Sequence, residues 1–227
     1  MIVRFLPLAI TNATEKEACV GAIADDGSWL RPEPVFVHDV AAFDTPYIYF
    51  HWISANLSPS VASDRRPEDR NLREDGSRPE LLYSIAPRER LPFLEQHLDP
   101  SVECAFAGNR SLGLVRVSVR KVYAKLSTGG RLFLRTEFTD QSGTSYDWII
   151  PEVTFNKIVQ PYLFIEEIAP EFCSSLLDTL QHAATFFAVG LTKPNFRFPG
   201  RFRGCHPLVV GIHSEPAYDT FLRGVNI

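Results

Sequence analysis

The stretch Leu112-Gly113-Leu114-Val115-Arg116-Val117-Ser118-Val119-Arg120-Lys121-Val122-Tyr123-Ala124-Lys125-Leu126 sets the fold class. Side chains alternate across a strand, so Val115, Val117 and Val119 point to one side and Arg116, Ser118 and Arg120 to the other. After Lys121 the parity changes, with Val122, Ala124 and Leu126 on the apolar side. That shift predicts a β-bulge at Arg120-Lys121, which would bend the strand as closure of a small barrel requires. Gly129-Gly130 supplies a turn, and the chain returns from Arg131 to Phe138. Arg131, Phe133 and Arg135 lie on one face there, Leu132 and Leu134 on the other. Ser142-Gly143 turns again into a strand from Tyr146 to Ile150.

Working outward, the C-terminal side predicts a helix over residues 170–190. Phe172, Leu176, Leu177, Leu180, Ala184 and Phe187 recur at helical spacing, with Pro170 near the first turn and Gly190 near the end. Leu208 to His213 is a closing strand. On the N-terminal side, Ile2 to Ile10 and Ala18 to Ile23 read as strands. Asp26-Gly27 marks a tight turn into a return strand at Trp29. Tyr47 to Ile53 is apolar on both faces and reads as a central strand.

Residues 54–101 change character. They hold six of the 17 prolines, and Asp64 to Arg78 carries five acids and five bases. This segment reads as a long solvated loop with a short helix from Pro87 to His97. The expected fold is mainly β with one prominent helix: two OB-like small β-barrels packed together. An N-terminal barrel would span residues 1–105 with the 54–101 loop, and a C-terminal barrel residues 106–227. A single PUA-like mixed barrel is the alternative.

The totals fit a globular chain with a real core: 227 residues, 45% hydrophobic, 22% charged, with 17 Phe. No apolar run approaches the roughly 20 residues of a spanning helix. The N-terminus lacks the basic region and cleavage site of a signal peptide, so a cytoplasmic location without membrane association is expected. Cys19, Cys104, Cys173 and Cys205 stand far apart, with no CxxC pair. Cys205-His206 with His213 offers too few ligands for zinc, and the two histidines fall on opposite faces of a strand, so no metal and no cofactor is implied.

Several segments carry a resemblance. They are Cys19-Val20-Gly21-Ala22-Ile23 with Asp26-Gly27-Ser28-Trp29-Leu30-Arg31-Pro32, Arg66-Pro67-Glu68-Asp69, and Tyr146-Asp147-Trp148 before Pro151. The last is Leu191-Thr192-Lys193-Pro194 leading to Cys205-His206-Pro207-Leu208-Val209-Val210-Gly211-Ile212. Together they resemble a bacterial family of dual OB-fold domain proteins. The resemblance implies two OB folds and brings no catalytic residue with it.

Charge is distributed unevenly. The net charge is −4, yet Cys104 to Thr136 holds seven Lys/Arg and no acid, and Lys193 to Arg203 holds four and no acid. The remainder carries 12 basic against 27 acidic residues, a balance of −15. Arg and Lys neutralise phosphates and Phe rings stack on bases. The candidate contacts are therefore Arg116, Arg120, Arg131, Phe133 and Arg135 on the hairpin, with Lys193, Arg197, Phe198 and Arg203 in the second segment. Arg31 is a further candidate for a phosphate or carboxylate, the alternative being a buried structural partner. The expected function is non-enzymatic binding of single-stranded nucleic acid or a nucleotide-like ligand. The rivals are a protein-interaction subunit of a larger bacterial system and a hydrolase built on His51, Glu68 and Asp69. No GxSxG, P-loop or GxGxxG motif is present.

Overall fold

The computed structural model describes residues 1–60, 66–73, 78–126, 132–157, 169–197 and 199–218. The first half contributes β1 (Ile2–Asn12), β2 (Glu17–Ala24), β3 (Trp29–Glu33), β4 (Val35–Phe36), α1 (Val37–Ala41), β5 (His51–Pro59), β6 (Asp69–Leu72), β7 (Glu80–Ser84) and α2 (Pro87–Gln96). The second contributes α3 (Val102–Ala105), β8 (Leu112–Leu126), β9 (Leu132–Asp140), β10 (Ser145–Ile149), α4 (Ala169–His182), β11 (Ala184–Leu191) and β12 (Pro207–Glu215). The fold is mainly β, as expected: a closed five-stranded barrel with a second sheet packed against it.

The barrel runs β8-β9-β10-β12-β11 and back to β8. All its pairings are antiparallel except β10 with β12, where Ile149 meets Leu208. In the first half, β1 pairs antiparallel with β2 and with β5, and β2 with β3. β3 runs parallel to β6, and β6 returns antiparallel to β5. Both halves therefore follow one plan. Strands are ordered first, second, third, fifth, fourth and back to first, and the third–fifth pairing is parallel. A helix follows the third strand in each, α1 in the first half and α4 in the second. No repeat in the sequence announces this duplication, because ring order depends on pairing and on which face is apolar rather than on residue identity.

The bulge is where parity placed it, with the β8–β9 register shifting between Val119 and Lys121. The predicted turns at Asp26-Gly27 and Ser142-Gly143 carry left-handed glycines, Gly27 with φ 83° and Gly143 with φ 82°. Gly129-Gly130 lies outside the described residues.

Three expectations are corrected. The helix expected over 170–190 ends at His182, and Ala184–Leu191 is strand β11. Its run Ala-Thr-Phe-Phe-Ala-Val-Gly-Leu is apolar at consecutive positions because both faces are covered. Phe187, Val189 and Leu191 fill the barrel, while Phe186 and Ala188 face the first half. The strand expected from Tyr47 starts only at His51, since Phe50 holds a left-handed φ of 61°. The 54–101 segment is not one solvated loop, for it contains the end of β5, then β6, β7 and α2. β6 is recruited by hydrogen bonding beside β3, which closes the first ring.

Between the halves lies a third apolar cluster. Leu6, Leu8, Ile23 and Trp29 of the first half pack on Leu112, Leu114, Phe186, Ala188 and Val210 of the second. Gly211 permits this approach, because a Cβ there would lie 2.0 Å from the carbonyl oxygen of Leu8. This contact covers one side of the second barrel; on the outer side of β9 and β10, Phe133, Arg135 and Glu137 are half-buried and Ser145 and Asp147 exposed.

Candidate nucleic-acid interface

The outer face of the second barrel is built by the bulge. Beyond it, Lys121, Tyr123 and Lys125 project outward from β8. Tyr123 pairs with Arg135 and Lys125 with Phe133 across the hairpin, and Arg135 pairs onward with Ile149 of β10. Two aromatic rings and three cations thus share one surface, with Tyr123, Phe133 and Arg135 each half-buried.

That surface also carries acids. Arg135 donates through Nε to Asp147 Oδ1 at 3.0 Å and through Nη2 to the Asp147 carbonyl at 2.8 Å. Tyr123 donates its hydroxyl to Asp147 Oδ2 at 2.9 Å. Lys121 lies 3.9 Å from Glu137. The acid-free window from Cys104 to Thr136 therefore does not make an acid-free face. The neutralising residues come from the end of β9 and from β10, which only the strand pairing brings alongside.

The expected hairpin residues do not all share this face. Val117 pairs with Asp140, so Arg116 lies beyond the end of β9. Arg135 is five residues back from Asp140 along that strand, which puts it about 20 Å from Arg116, one step beyond Val117. Arg116 instead stands over the Phe186 ring and 3.9 Å from Glu95 of α2. Arg120 is exposed at the bulge. Arg131 and Phe198 lie outside the described residues.

The connection 192–206, between β11 and β12, holds the second basic segment. Lys193 and Arg197 are exposed, and Phe196 is 96% exposed. Phe202 instead plugs the barrel against Phe106 and Trp148. Arg201 pairs with Glu103 at 2.9 Å. Arg203 donates to Asn109 Oδ1 at 2.6 Å and to the Arg110 carbonyl at 2.8 Å.

Arg31, the candidate for a phosphate or carboxylate, is held by carboxylates of the protein itself, Asp69 and Glu68. It is 4% exposed and ties the two halves together from within. Its Nη1 donates to Asp69 Oδ1 at 2.6 Å and its Nη2 to Ser111 Oγ at 2.7 Å. Ser111 also donates its backbone N–H to Glu68 Oε1 at 2.7 Å and its hydroxyl to the same oxygen. Arg66 completes the group, donating through Nη1 to Ser111 Oγ at 3.1 Å and to the Leu191 carbonyl at 2.9 Å. Burial and the neighbouring Arg31 charge hold the Arg66 guanidinium below the usual arginine range. Glu68 and Asp69 are thus buried and charge-paired rather than solvated, and His51 turns its Nδ1 to the Tyr49 carbonyl at 2.9 Å.

A cleft of about 380 Å³ opens beside this network, lined by Ser60, Arg66, Pro67, Asp69, Arg70 and Asn109. Arg66-Pro67-Glu68-Asp69 was visible in the sequence, but equal numbers of acids and bases concealed that the acids turn inward. Elsewhere at the seam, Tyr49 donates to Glu152 Oε1 at 2.5 Å, and burial raises the Glu152 carboxyl. His213 makes a 2.8 Å bond through Nε2 to the Leu8 carbonyl. Cys205 is buried and His206 exposed, and no metal-binding group of His, Cys, Asp or Glu occurs among the described residues.

No protein-family model matches the chain, and no curated protein matches it.

Proposed function

We propose that this chain is a non-enzymatic binding module for single-stranded nucleic acid or a nucleotide-like ligand, held on the outer face of the second barrel. The observation that carries the reading is Phe196, 96% exposed between Lys193 and Arg197 in the β11–β12 connection. A solvated aromatic ring in a basic setting is a stacking platform for a base. OB barrels bind oligonucleotides on their second and third strands and on the loop joining the fourth and fifth. Here those are β9, β10 and residues 192–206. Ring order, the parallel third–fifth pairing and the helix before the fourth strand support OB-like barrels and the dual OB-fold resemblance. The four cysteines are free, which supports a reducing compartment such as the cytoplasm. No helix among the described residues is long and apolar enough to cross a membrane.

Fluorescence anisotropy of a labelled oligothymidylate tests this reading. The expected outcome is saturable binding whose logarithm falls linearly with the logarithm of salt between about 50 and 200 mM. Absence of binding at the lowest salt would remove the proposal.

A second reading, a protein-interaction subunit, draws on β7. It pairs with β5 along one edge and ends its sheet among the described residues, with Leu81, Leu82 and Tyr83 exposed by 46%, 41% and 54%. An apolar edge strand is a template for a partner's strand. Copurification of a stoichiometric protein, lost in Leu82→Lys, would favour it.

A further inference from the structure

Phe196 is displayed by a segment tied to a tight turn. Asn195 donates its backbone N–H to the Gly204 carbonyl at 2.9 Å, and its side-chain Oδ1 accepts the Arg197 N–H at 3.0 Å. The ring sits between these two bonds, so the place of Gly204 bears on the place of Phe196. Gly204 belongs to a turn from Phe202 to Cys205, closed by the Cys205 N–H on the Phe202 carbonyl at 2.8 Å. Both central residues are left-handed, Arg203 with φ 53° and Gly204 with φ 78°. Positive φ at both positions is the I′ pattern, which favours Asn, Asp or Gly at the first of them.

Arginine suits that backbone poorly, because its Cβ crowds the chain there. The side chain supplies the reason for its presence. Arg203 donates through Nη1 to Asn109 Oδ1 at 2.6 Å and through Nη2 to the Arg110 carbonyl at 2.8 Å. Both acceptors lie in the connection from α3 to β8, so the fork joins two connections at one end of the second barrel. The two residues before it grip the same region. Arg201 pairs with Glu103 at 2.9 Å, and Phe202 packs against Phe106 and Trp148. A planar guanidinium reaches two fixed acceptors at once, which a lysine ammonium does not reproduce.

We propose that Arg203 is a positioning residue for the nucleic-acid site: its fork locks the 202–205 turn onto Asn109 and Arg110 and so holds Phe196 in place before a strand arrives. The proposal rests on the binding function given above. It assigns Arg203 a role other than the phosphate contact that its charge suggests. Affinity gains because less of the connection has to be ordered on binding.

Two measurements on the full chain test it. The first is hydrogen exchange at the Asn195 and Arg197 amides, which needs no ligand. Arg203→Lys and Arg203→Gly are expected to speed it about tenfold, as loss of a charge-assisted hydrogen bond does. The unfolding midpoint of Arg203→Gly stays near wild type, since glycine accepts the turn. The second is oligothymidylate affinity over a salt series, whose logarithmic slope changes by about 0.7 for each phosphate contact of a single strand. Both Arg203 variants are expected to bind about tenfold more weakly at every salt, with the wild-type slope. Arg197→Gln, at an exposed cation beside Phe196, is expected to reduce the slope by about 0.7. Exchange equal to wild type in both Arg203 variants would overturn the proposal. So would wild-type binding by Arg203→Lys together with a reduced slope in Arg203→Gly, the signature of a phosphate contact. Wild type binding no strand at all would instead remove the function itself, and with it the site that Arg203 serves.

Discussion

Arg66 donates through Nη1 to the backbone carbonyl of Leu191 at 2.9 Å. A side chain just before the last strand of the first ring thus caps the end of the fourth strand of the second. The Leu191 N–H in turn donates to the Ser111 carbonyl at 2.9 Å, and Ser111 is held by Arg31 and Glu68. This polar knot and the apolar cluster around Leu8, Leu112 and Phe186 fix one barrel on the other.

The knot predicts the cost of breaking it. Arg31→Ala leaves Glu68 and Asp69 buried without their main cation, and removing one partner of a buried pair costs about 3–5 kcal/mol. Urea unfolding should show that loss. A double change, Arg31→Met with Asp69→Leu, should recover part of it, because no unpaired charge remains at Asp69.

Acid sensitivity is expected from His213. Burial holds its folded pKa at about 4, against an ordinary value of 6.5. As pH falls from about 6.5 to about 4, the unfolded chain takes up a proton that the folded chain refuses. The contribution of His213 to stability therefore declines across that window by about 3 kcal/mol and is constant below it. Glu152, whose carboxyl is raised by burial, acts in the opposite sense near its own titration. Comparing wild type with His213→Gln isolates the histidine. Unfolding midpoints at neutral and acid pH should show wild type losing more than the variant, and equal losses would refute the assignment.

Close approach of the halves is expected to tolerate no added carbon at Gly211. A Cβ there would lie 2.0 Å from the Leu8 carbonyl oxygen and 3.0 Å from Ala188 Cβ. Gly211→Ala should lower stability by about 1–3 kcal/mol in thermal or denaturant unfolding, as overpacking does. Gly143→Asn, at a left-handed turn with open space around it, should stay near wild type.

These elements differ in how far the sequence announced them. β8 and its bulge were legible because alternation and its break are local signals. β11 was misread as helix because Phe187, Val189 and Leu191 are covered by one neighbour and Phe186 and Ala188 by another, which erases alternation. β6 was hidden because its strand character comes from the parallel partner β3. The candidate face was legible only in part. The aromatic and basic residues were visible, but Glu137 and Asp147 reach Lys121 and Arg135 across strands. Whether Arg31 meets a ligand or a buried partner was not legible, because its partners Asp69 and Ser111 lie 38 and 80 residues away.

The central claim is that single-stranded nucleic acid binds the β9–β10 face together with Phe196. Its most direct test is the oligothymidylate affinity of Phe196→Ala set beside that of Arg116→Ala. Phe196→Ala is expected to weaken binding by about 1–3 kcal/mol, roughly five- to hundredfold, by loss of one stacking ring. Arg116→Ala, which removes a cation beyond the end of β9, leaves affinity unchanged. Unaltered binding in Phe196→Ala, or an equal loss in both variants, would contradict it.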